Sequence, residues 1–160
     1  MTDDRYHLLA GLLLVVAANM APWLAGRLLR GHWAQPLDCG VTLQDGTRLL
    51  GDHKTWRGLC AGEIACALTA CLLGYPVVLG LEFATLSLVA DAASSLFKRR
   101  LRLAAGAEVP GVDQLPESLV PLWALARPLQ ISAWSGVVIA IVFLGLDLLA
   151  RPLRQRAAHG

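Results

Sequence analysis

Charged residues are scarce in this sequence. Asp, Glu, Lys and Arg make up 16% of its 160 residues, whereas soluble domains carry about a quarter. Apolar residues account for 56%, and the mean hydropathy is +0.54. The polar surface is too small to enclose a water-soluble globule. The composition therefore indicates an integral membrane protein with a single domain, residues 1–160.

Several sequence signatures are missing as well. No two of the four cysteines have C-x-x-C spacing, which argues against a zinc site and a disulfide framework. The first apolar run lacks the small-residue cleavage pattern of a signal peptide, so it is expected to remain as a span. Gly46 and Gly51 have the glycine spacing of a Walker A loop. That motif requires Gly directly before Lys, and here His53 precedes Lys54.

Five apolar blocks predict an all-α fold of about five transmembrane helices. They run from Leu8 to about Leu29, Gly58 to Leu73, Val77 to Phe97, Leu119 to Leu129 and Ile131 to Leu149. A span needs roughly 20 residues, so the helices of the shorter second and fourth blocks are expected to extend into polar flanks. Asn19 and Pro22 predict a kink or local break in the first helix. Gly74-Tyr75-Pro76 predicts a tight turn after the second.

The basic residues predict the orientation in the membrane. If the N-terminus lies outside, every Lys and Arg except Arg5 and Arg127 falls on the inner side. Cytoplasmic loops carry such an excess, and one helix more or fewer would scatter these residues over both faces. The sequence therefore predicts an inner-membrane protein with two functional loops, residues 30–57 and 101–118, facing the cytoplasm.

The first of these loops has the composition of an anion site. It is dense in Gly, Asp, Lys, Thr and Arg. Glycine lets backbone N–H groups approach an anion closely, and Lys and Arg form charge-assisted bonds to phosphate oxygens. A helix that starts near Thr55 would direct its positive end at the same place. A solvated basic loop that touches lipid headgroups accounts for the composition equally well.

A polar stripe on the third predicted helix favours the first interpretation. Its members recur at helical spacing and are Ser87, Asp91, Ser94, Ser95 and Lys98. An acid inside a spanning helix is a functional-site hypothesis by default, although an interhelix hydrogen bond or a local ion pair would also explain Asp91. Acids beside bases suit a metal-bound nucleotide, because carboxylates hold Mg²⁺ while Lys and Arg hold phosphates.

Three further acids lie within the apolar blocks. Glu63 is expected either to face the same cavity or to pair with Arg57. Glu82 is interpreted as a structural partner between helices. Asp147, near the end of the last block, is expected to reach the membrane interface, away from the cluster.

Several strings of these segments occur together, in this order, in one known family. They are Asn19-Met20-Ala21-Pro22, Gly31-His32, Pro36-Leu37-Asp38, Leu50-Gly51-Asp52-His53-Lys54-Thr55-Trp56-Arg57-Gly58, Asp91-Ala92-Ala93-Ser94-Ser95-Leu96-Phe97-Lys98-Arg99-Arg100 and Asp113-Gln114-Leu115. They resemble the CDP-archaeol synthase family, small membrane cytidylyltransferases distantly related to CDP-diacylglycerol synthases. The string Gly-Asp-x-Lys-Thr-x-Arg-Gly at residues 51–58 is specific.

The resemblance implies a reaction and a set of site residues. CTP and a lipid phosphate, archaeol-phosphate-like or phosphatidate-like, would give a CDP-lipid and pyrophosphate with Mg²⁺ as the cofactor. The implied catalytic residues are Lys54, Arg57, Asp91, Lys98 and Asp113. The implied substrate-binding residues are Asn19, Asp52, Thr55, Ser95 and Arg99. The implied metal ligands are Asp91 and Asp113. The expected partners are CTP, the lipid phosphate and membrane lipids, without nucleic acid, and a homo-oligomer is left open.

One departure and two competing functions accompany the resemblance. The family continues Asp-Gln-Leu with a second Asp, where this chain has Pro116 followed by Glu117; either Glu117 takes over that contact or a metal contact is lost. A CDP-alcohol phosphatidyltransferase would need Asp-Gly-x-x-Ala-Arg and two later aspartates, which Asp45-Gly46-Thr47-Arg48 matches only in part. A non-enzymatic protein that binds anionic lipid would explain the basic face but not the acids within it.

Overall fold

The described residues form α-helices joined by turns and loops. The structure, a computed structural model, describes residues 2–42, 46, 48–52, 54–101, 111–112 and 114–158, and of residues 2, 3, 99 and 153–158 the backbone alone. The helices are α1 (Thr2–Leu29), α2 (Trp56–Leu72), α3 (Val77–Arg100), α4 (Gln114–Ala124) and α5 (Ala133–Ala158). The described ranges contain no β-strand, only isolated bridges that join Pro36 to Thr55 and Thr42 to Arg48. The predicted all-α fold is confirmed for this part of the chain.

The start of α1 lies beside the turn between α2 and α3. The Tyr6 hydroxyl donates a hydrogen bond to the carbonyl oxygen of Leu73, and His7 Nδ1 lies 2.8 Å from the Tyr75 hydroxyl. Gly74 has a φ of 72°, in the left-handed region that favours glycine. The tight turn predicted here is confirmed, and α3 therefore runs back antiparallel to α2.

Contacts at the opposite end show the same alternation. The Arg57 guanidinium, at the start of α2, donates to carbonyl oxygens of Arg30 and His32, just after α1. Gln114, at the start of α4, donates to Asp147 near the end of α5 at 2.9 Å. Thus α2 is antiparallel to α1, and α5 is antiparallel to α4. Helix α1 also packs against α3 and α5.

Helix α1 passes through Pro22 without a break. Proline has no N–H, so the carbonyl of Ala18, four residues earlier, loses its usual helical partner. Helix α2 approaches at this point through two glycines: a Cβ at Gly62 would lie 3.5 Å from Ala18 O, and one at Gly58 would lie 3.4 Å from Pro22 Cβ. The predicted local break is absent, since α1 is one helix from Thr2 to Leu29; a kink near Asn19 and Pro22 stays a prediction.

The outer surface of the bundle is apolar, as a bilayer requires. Leu72, Leu149 and Leu28 are 87%, 75% and 72% exposed. Among the described residues, three helices are long and apolar enough to cross a membrane: Asp4–Leu29, Val77–Lys98 and Ala133–Pro152. These features identify an integral membrane protein.

The two shorter helices meet the bilayer differently. Helix α2 has 17 residues and spans about 25 Å, while α4 has 11 residues and spans about 16 Å, against a hydrocarbon core of about 30 Å. Helix α4 begins at Gln114, inside the polar flank, as expected for the fourth block. Beyond Ala124, hydrogen bonds from Leu125 N to Pro121 O and from Leu129 N to Leu125 O continue helical turns. Five spans remain a prediction.

Gly80 sets the distance between α2 and α3, and its substitution tests the packing. A Cβ at Gly80 would lie 2.3 Å from the Cys66 carbonyl oxygen and 2.8 Å from Ala67 Cα. Because these are backbone atoms, the helices would have to move apart, at a cost of about 1–3 kcal/mol. Gly80→Ala is expected to lower the midpoint of thermal unfolding in detergent. Gly145→Ala, where a Cβ meets nothing within 4 Å, is the matched control and should not lower it; equal midpoints for both variants would contradict this packing.

Candidate functional site

The first polar loop is folded around the carboxylate of Asp38. Asp38 Oδ2 accepts hydrogen bonds from the backbone N–H groups of Leu50 at 2.9 Å and Gly51 at 3.2 Å. Oδ1 accepts from Gly40 N at 3.1 Å and from Arg48 Nη2 at 2.8 Å. The side chain of Asp38 is 0% exposed. A single buried carboxylate therefore ties the two halves of the loop together.

The donors around Asp38 determine its ionisation. Burial by itself would raise the pKa of Asp38, but the N–H of Leu50, the Arg48 guanidinium and two further N–H groups more than offset this and hold the pKa well below its usual range. The same hydrogen bond to Asp38 raises the pKa of Arg48. Arg48 Nη1 also lies 2.9 Å from the exposed carboxylate of Asp52, so Arg48 bridges a buried acid and a solvated one.

Backbone pairing closes the loop and places Lys54. Leu37 N donates to Lys54 O at 2.7 Å, and Trp56 N donates to Gln35 O at 3.1 Å. The first and last segments of the loop are thus paired directly before α2. Lys54 is thereby held at the junction between the loop and the helix bundle.

Thr55 is the N-cap of α2, as expected for a helix that starts near this residue. Its hydroxyl accepts a hydrogen bond from Gly58 N at 3.2 Å, a typical capping contact. Since Trp56 N is also engaged, by Gln35 O, two of the first N–H groups of the helix already have partners. The positive end of α2 is therefore oriented by the loop, and fewer of its donors face outward than the sequence suggested.

An ion pair joins the loop to the polar stripe on α3. Lys54 Nζ donates to Asp91 Oδ2, and the two side chains are 20% and 21% exposed. Ser94, buried one turn further along, donates to the backbone carbonyl of Asp91 at 2.8 Å. The structure brings together these two predicted site residues from different segments of the chain. They form a half-buried ion pair, and such a local ion pair is also the non-catalytic explanation for Asp91.

Arg57 has a structural role that the sequence did not suggest. Its Nη1 donates to Arg30 O at 2.5 Å and to His32 O at 2.9 Å, so it satisfies carbonyl groups at the end of α1. Its Nε is buried and makes no hydrogen bond within the described part of the chain. Arg57 therefore fastens the end of α1 to the start of α2.

The remaining predicted site residues are less closely gathered. Asn19 Nδ2 donates to Val15 O of its own helix at 2.9 Å. Ser95 is buried at 7% exposure, and Lys98 is half-buried near the end of α3. Two predicted site residues lie outside what the structure describes: the side chain of Arg99, and Asp113.

Asp147 is buried between α5 and α4, and its expected position at the membrane interface stays a prediction. Its side chain is 9% exposed. Its Oδ2 accepts from Gln114 Nε2 at 2.9 Å and from Arg151 Nε at 3.5 Å, so Asp147 connects α5 to the start of α4. The sequence carried one signal of this burial, a basic residue four positions later on the same helix face.

The expectation for Glu63 needs correction. Glu63 neither pairs with Arg57 nor shares the loop contacts; its Oε1 accepts from the Thr85 hydroxyl at 2.7 Å. The string Pro36-Leu37-Asp38 did not suggest a role for Asp38, which organises the loop. An Asp side chain often accepts a hydrogen bond from the backbone N–H two residues later. Gly40 at that position was the one local sign of this role in the sequence.

The described residues fit a divalent ion held jointly with phosphates. No three His, Cys, Asp or Glu side chains within the described ranges lie close enough to hold a metal ion among themselves. Mg²⁺ in nucleotide sites typically uses one or two carboxylates and completes its shell with phosphate oxygens and water. Asp91, paired with Lys54, is one predicted carboxylate ligand, and the second is predicted at Asp113.

Comparisons with known proteins agree on one family. The family model described as CarS-like, CDP-archaeol synthase, matches residues 6–79. The CDP-archaeol synthase of Methanococcoides burtonii is 39% identical over 147 residues, which cover 78% of this chain and 83% of that protein. The one from Thermofilum pendens is 39% identical over 103 residues, covering 61% of this chain and 50% of that protein.

A solved structure is similar in fold as well as in sequence. It is described as an intramembrane enzyme for archaeal membrane lipids biosynthesis. Its TM-score to this chain is 0.68 at 32% identity, and the match covers 87% of this chain and 91% of that one.

Replacement of Asp38 tests the organisation of the loop. A carboxylate whose pKa is lowered by folding stabilises the protein fully above its unfolded pKa, about 3.9, and this stabilisation is lost as pH falls through the lower folded pKa. Asp38→Asn is expected to lower the thermal unfolding midpoint equally from about pH 7 to pH 5, with the difference narrowing only below about pH 4.

Asp52→Asn is the matched control, because the Asp52 carboxylate is 76% exposed and should contribute little. The measurement is thermal unfolding in detergent across this pH series. A deficit of Asp38→Asn that shrinks between pH 7 and pH 5, or one no larger than that of Asp52→Asn, would contradict the assignment.

Proposed function

This chain belongs to the CDP-archaeol synthase family, and we propose that it transfers the cytidylyl group of CTP to a membrane lipid phosphate, releasing pyrophosphate and leaving a CDP-lipid. The observation that carries the assignment to a site is the half-buried pair of Lys54 and Asp91, which joins a glycine-rich loop to a spanning helix. The acceptor is an archaeol-phosphate-like or phosphatidate-like lipid.

The chemistry suits a site without an obvious nucleophile or base. The second pKa of a phosphate monoester is about 6, so the acceptor is already ionised at neutral pH. One of its oxygens attacks the α-phosphorus of CTP, a new P–O–P linkage forms, and the bond to the β-phosphate breaks as pyrophosphate leaves. The protein then needs to position two anions and neutralise their charge.

Lys54 and Asp91 have complementary parts in this scheme. In the absence of nucleotide they neutralise each other, which is how two charged groups remain half-buried near the membrane. With nucleotide present, Lys54 would turn to the phosphates, and Asp91, with Asp113, would hold Mg²⁺. When bound, Mg²⁺ supplies additional neutralisation of the phosphate charge.

The other predicted residues complete the site. Arg57 keeps α1 against α2 through its contacts with two carbonyl groups and contributes its positive charge to phosphate binding. The further phosphate-binding and substrate-orienting residues of the proposal are Lys98, Arg99, Asn19, Asp52, Thr55 and Ser95. Arg48 already neutralises Asp52, so Asp52 contacts the substrate only as part of that pair.

Two substitutions test the catalytic proposal. The assay follows labelled CTP in detergent with Mg²⁺ and a panel of lipid phosphates, including phosphatidic acid and an archaeal ether-lipid phosphate. Lys54→Ala removes a charged donor from the developing phosphate charge and is expected to lower the rate about 10²–10³-fold. Asp91→Asn is expected to lower it comparably.

Glu82, interpreted from the sequence as a structural partner between helices, is exposed on the same helix as Asp91. Glu82→Gln is therefore the matched control and should keep wild-type turnover. If both Lys54→Ala and Asp91→Asn form product at the wild-type rate, the catalytic site does not include these two residues. If the wild-type protein neither binds CTP nor forms product, the enzyme proposal is wrong and the basic face is a lipid-binding surface.

The proposed site faces the cytoplasm, because nearly all basic residues lie on the side of the membrane that carries the loop. Cys39, an exposed and free cysteine of that loop, reports the orientation. A membrane-impermeant maleimide should label Cys39 in inverted membrane vesicles but not in intact spheroplasts, with Cys39→Ser as the background control. Labelling of Cys39 in intact spheroplasts would reverse the orientation.

A further inference from the structure

Helices α2 and α3 share a polar pair on the outer surface of the bundle. The Thr85 hydroxyl of α3 donates to Glu63 Oε1 of α2 at 2.7 Å. Thr85 is exposed and Glu63 is half-buried, so the pair lies at the outside of the contact between the two helices. The surface around it is apolar: Ile64 is 60% exposed, Leu68 59% and Val89 58%. An acid and a hydroxyl therefore interrupt a surface that otherwise suits lipid.

The pair lies far from either end of its helices. Thr85 belongs to the segment Val77–Lys98, which is long and apolar enough to cross a membrane, about 12 Å from its start and about 20 Å from its end. Glu63 lies about 10 Å from the first residue of α2 and about 14 Å from the last. At such depths in the bilayer a glutamate side chain does not extend to interfacial water.

Hydrocarbon leaves the hydrogen-bonding capacity of this pair partly unused. An ionised carboxylate has two accepting oxygens and a protonated carboxyl adds a donor, whereas Thr85 supplies Glu63 with a single donor. Lipid tails supply neither donors nor acceptors, and an unmatched polar group among them costs free energy. Acids within spanning segments accordingly face protein or water-filled cavities in nearly all cases. The position of Glu63 thus favours protein over lipid as the covering of this surface.

A second copy of the chain supplies matching groups at the matching depth. Both copies enter the membrane in the same orientation, so a two-fold axis along the bilayer normal sets Glu63 of one copy level with Glu63 and Thr85 of the other. The Thr85 oxygen donates to the Glu63 of its own copy but still accepts, and a protonated Glu63 carboxyl of the other copy can donate to it. The surface is therefore complementary to itself in hydrogen bonding.

The shape and size of this face also suit a contact between helices. Its exposed side chains on α3 include the short ones of Val78, Thr85, Val89 and Ala93, and short side chains let helices approach closely in membranes. The 17 residues of α2 make the face about 25 Å tall, and two helices side by side make it about 20 Å wide. Two such faces in contact cover about 1,000 Å² in total, the size at which specific interfaces begin.

We propose that the outer face of α2 and α3 is the contact between two copies of this chain in the membrane, with Glu63 and Thr85 hydrogen-bonded across a two-fold axis. The proposal does not depend on the transfer reaction. It predicts opposite effects of one substitution on the two states: leucine at position 63 suits a monomer surrounded by lipid, but removes the polar contact between two copies.

The first experiment measures association of the full-length chain in lipid vesicles. Copies labelled at Cys39 with a donor or an acceptor fluorophore are mixed, with the other exposed cysteines, Cys60 and Cys71, replaced by alanine. Energy transfer is then followed over a range of protein-to-lipid ratios. Glu63→Leu and Thr85→Val are each expected to raise the ratio needed for half-maximal transfer about 10-fold.

Glu82→Gln is the matched control. Glu82 is also an exposed acid of α3, but it lies about 8 Å from the first residue of that helix, close enough to reach the nearer membrane surface. Its replacement should leave the association unchanged. Circular dichroism verifies that each variant is helical, and Thr85→Val, which keeps the shape of the side chain, tests the proposal if Glu63→Leu does not fold.

The second experiment locates the contact by oxidative cross-linking in membranes. In a background without the three exposed cysteines, Ile64→Cys and Val89→Cys place a thiol on the proposed contact. Ile141→Cys places one on α5, where the side chain is 59% exposed, a match for the other two positions. Ile64→Cys or Val89→Cys is expected to give a cross-linked dimer, and Ile141→Cys is not.

Three results would overturn the proposal. Wild-type protein that shows only the energy transfer of random proximity at every ratio is a monomer, and this face is then covered by lipid or by a different spanning helix. Transfer that is unchanged in both Glu63→Leu and Thr85→Val would show that the polar pair does not hold the copies together. Cross-linking at Ile141→Cys alone would place the contact on α5.

Discussion

In a chain this apolar, a buried or half-buried carboxylate must be met by donors, and three of those among the described residues, Asp38, Asp91 and Asp147, organise the polar end of the bundle. Asp38 has three backbone N–H groups and Arg48, Asp91 has Lys54, and Asp147 has Gln114 and Arg151. An unpaired charge in these places would cost several kcal/mol. The positions of the donors, and hence of the loop and two helix ends, follow from that requirement.

The same requirement links stability to the proposed catalysis. The Asp38 network is closed, so its charge is fully used within the loop and serves to present the residues that follow. The Lys54–Asp91 pair is different, because it is half-buried and both groups match parts of a metal-bound nucleotide. In the proposed reaction, Lys54 and Asp91 would exchange each other for phosphate and metal, so that neither charge would be left unpaired. Arg57 anchors this arrangement to α1 through two carbonyl groups.

Close helix contacts give the polar end a rigid base. Glycines at positions 58 and 62 bring α2 against α1 near Pro22, and Gly80 brings α3 against α2. Since Thr55 caps α2 and Asp91 lies on α3, these distances bear directly on whether Lys54 reaches its partner. Small residues at helix contacts let backbones approach in this way in membrane proteins.

The sequence by itself determined the membrane class, the helices, the turn after α2 and the membership of Lys54 and Asp91 in one polar region. These follow from composition, from blocks of apolar residues and from helical spacing, all of which act over a few residues. The tertiary structure alone decided the partners of Asp38, Arg57 and Asp147. Gln114 and Asp147 are 33 positions apart on helices whose relative register depends on packing along their whole length. Asp38 contacts Leu50 and Gly51 within an irregular loop, whose sequence has no helical or strand periodicity. Local patterns specify which segments are helical, whereas the pairing of buried polar groups is settled only when those segments pack.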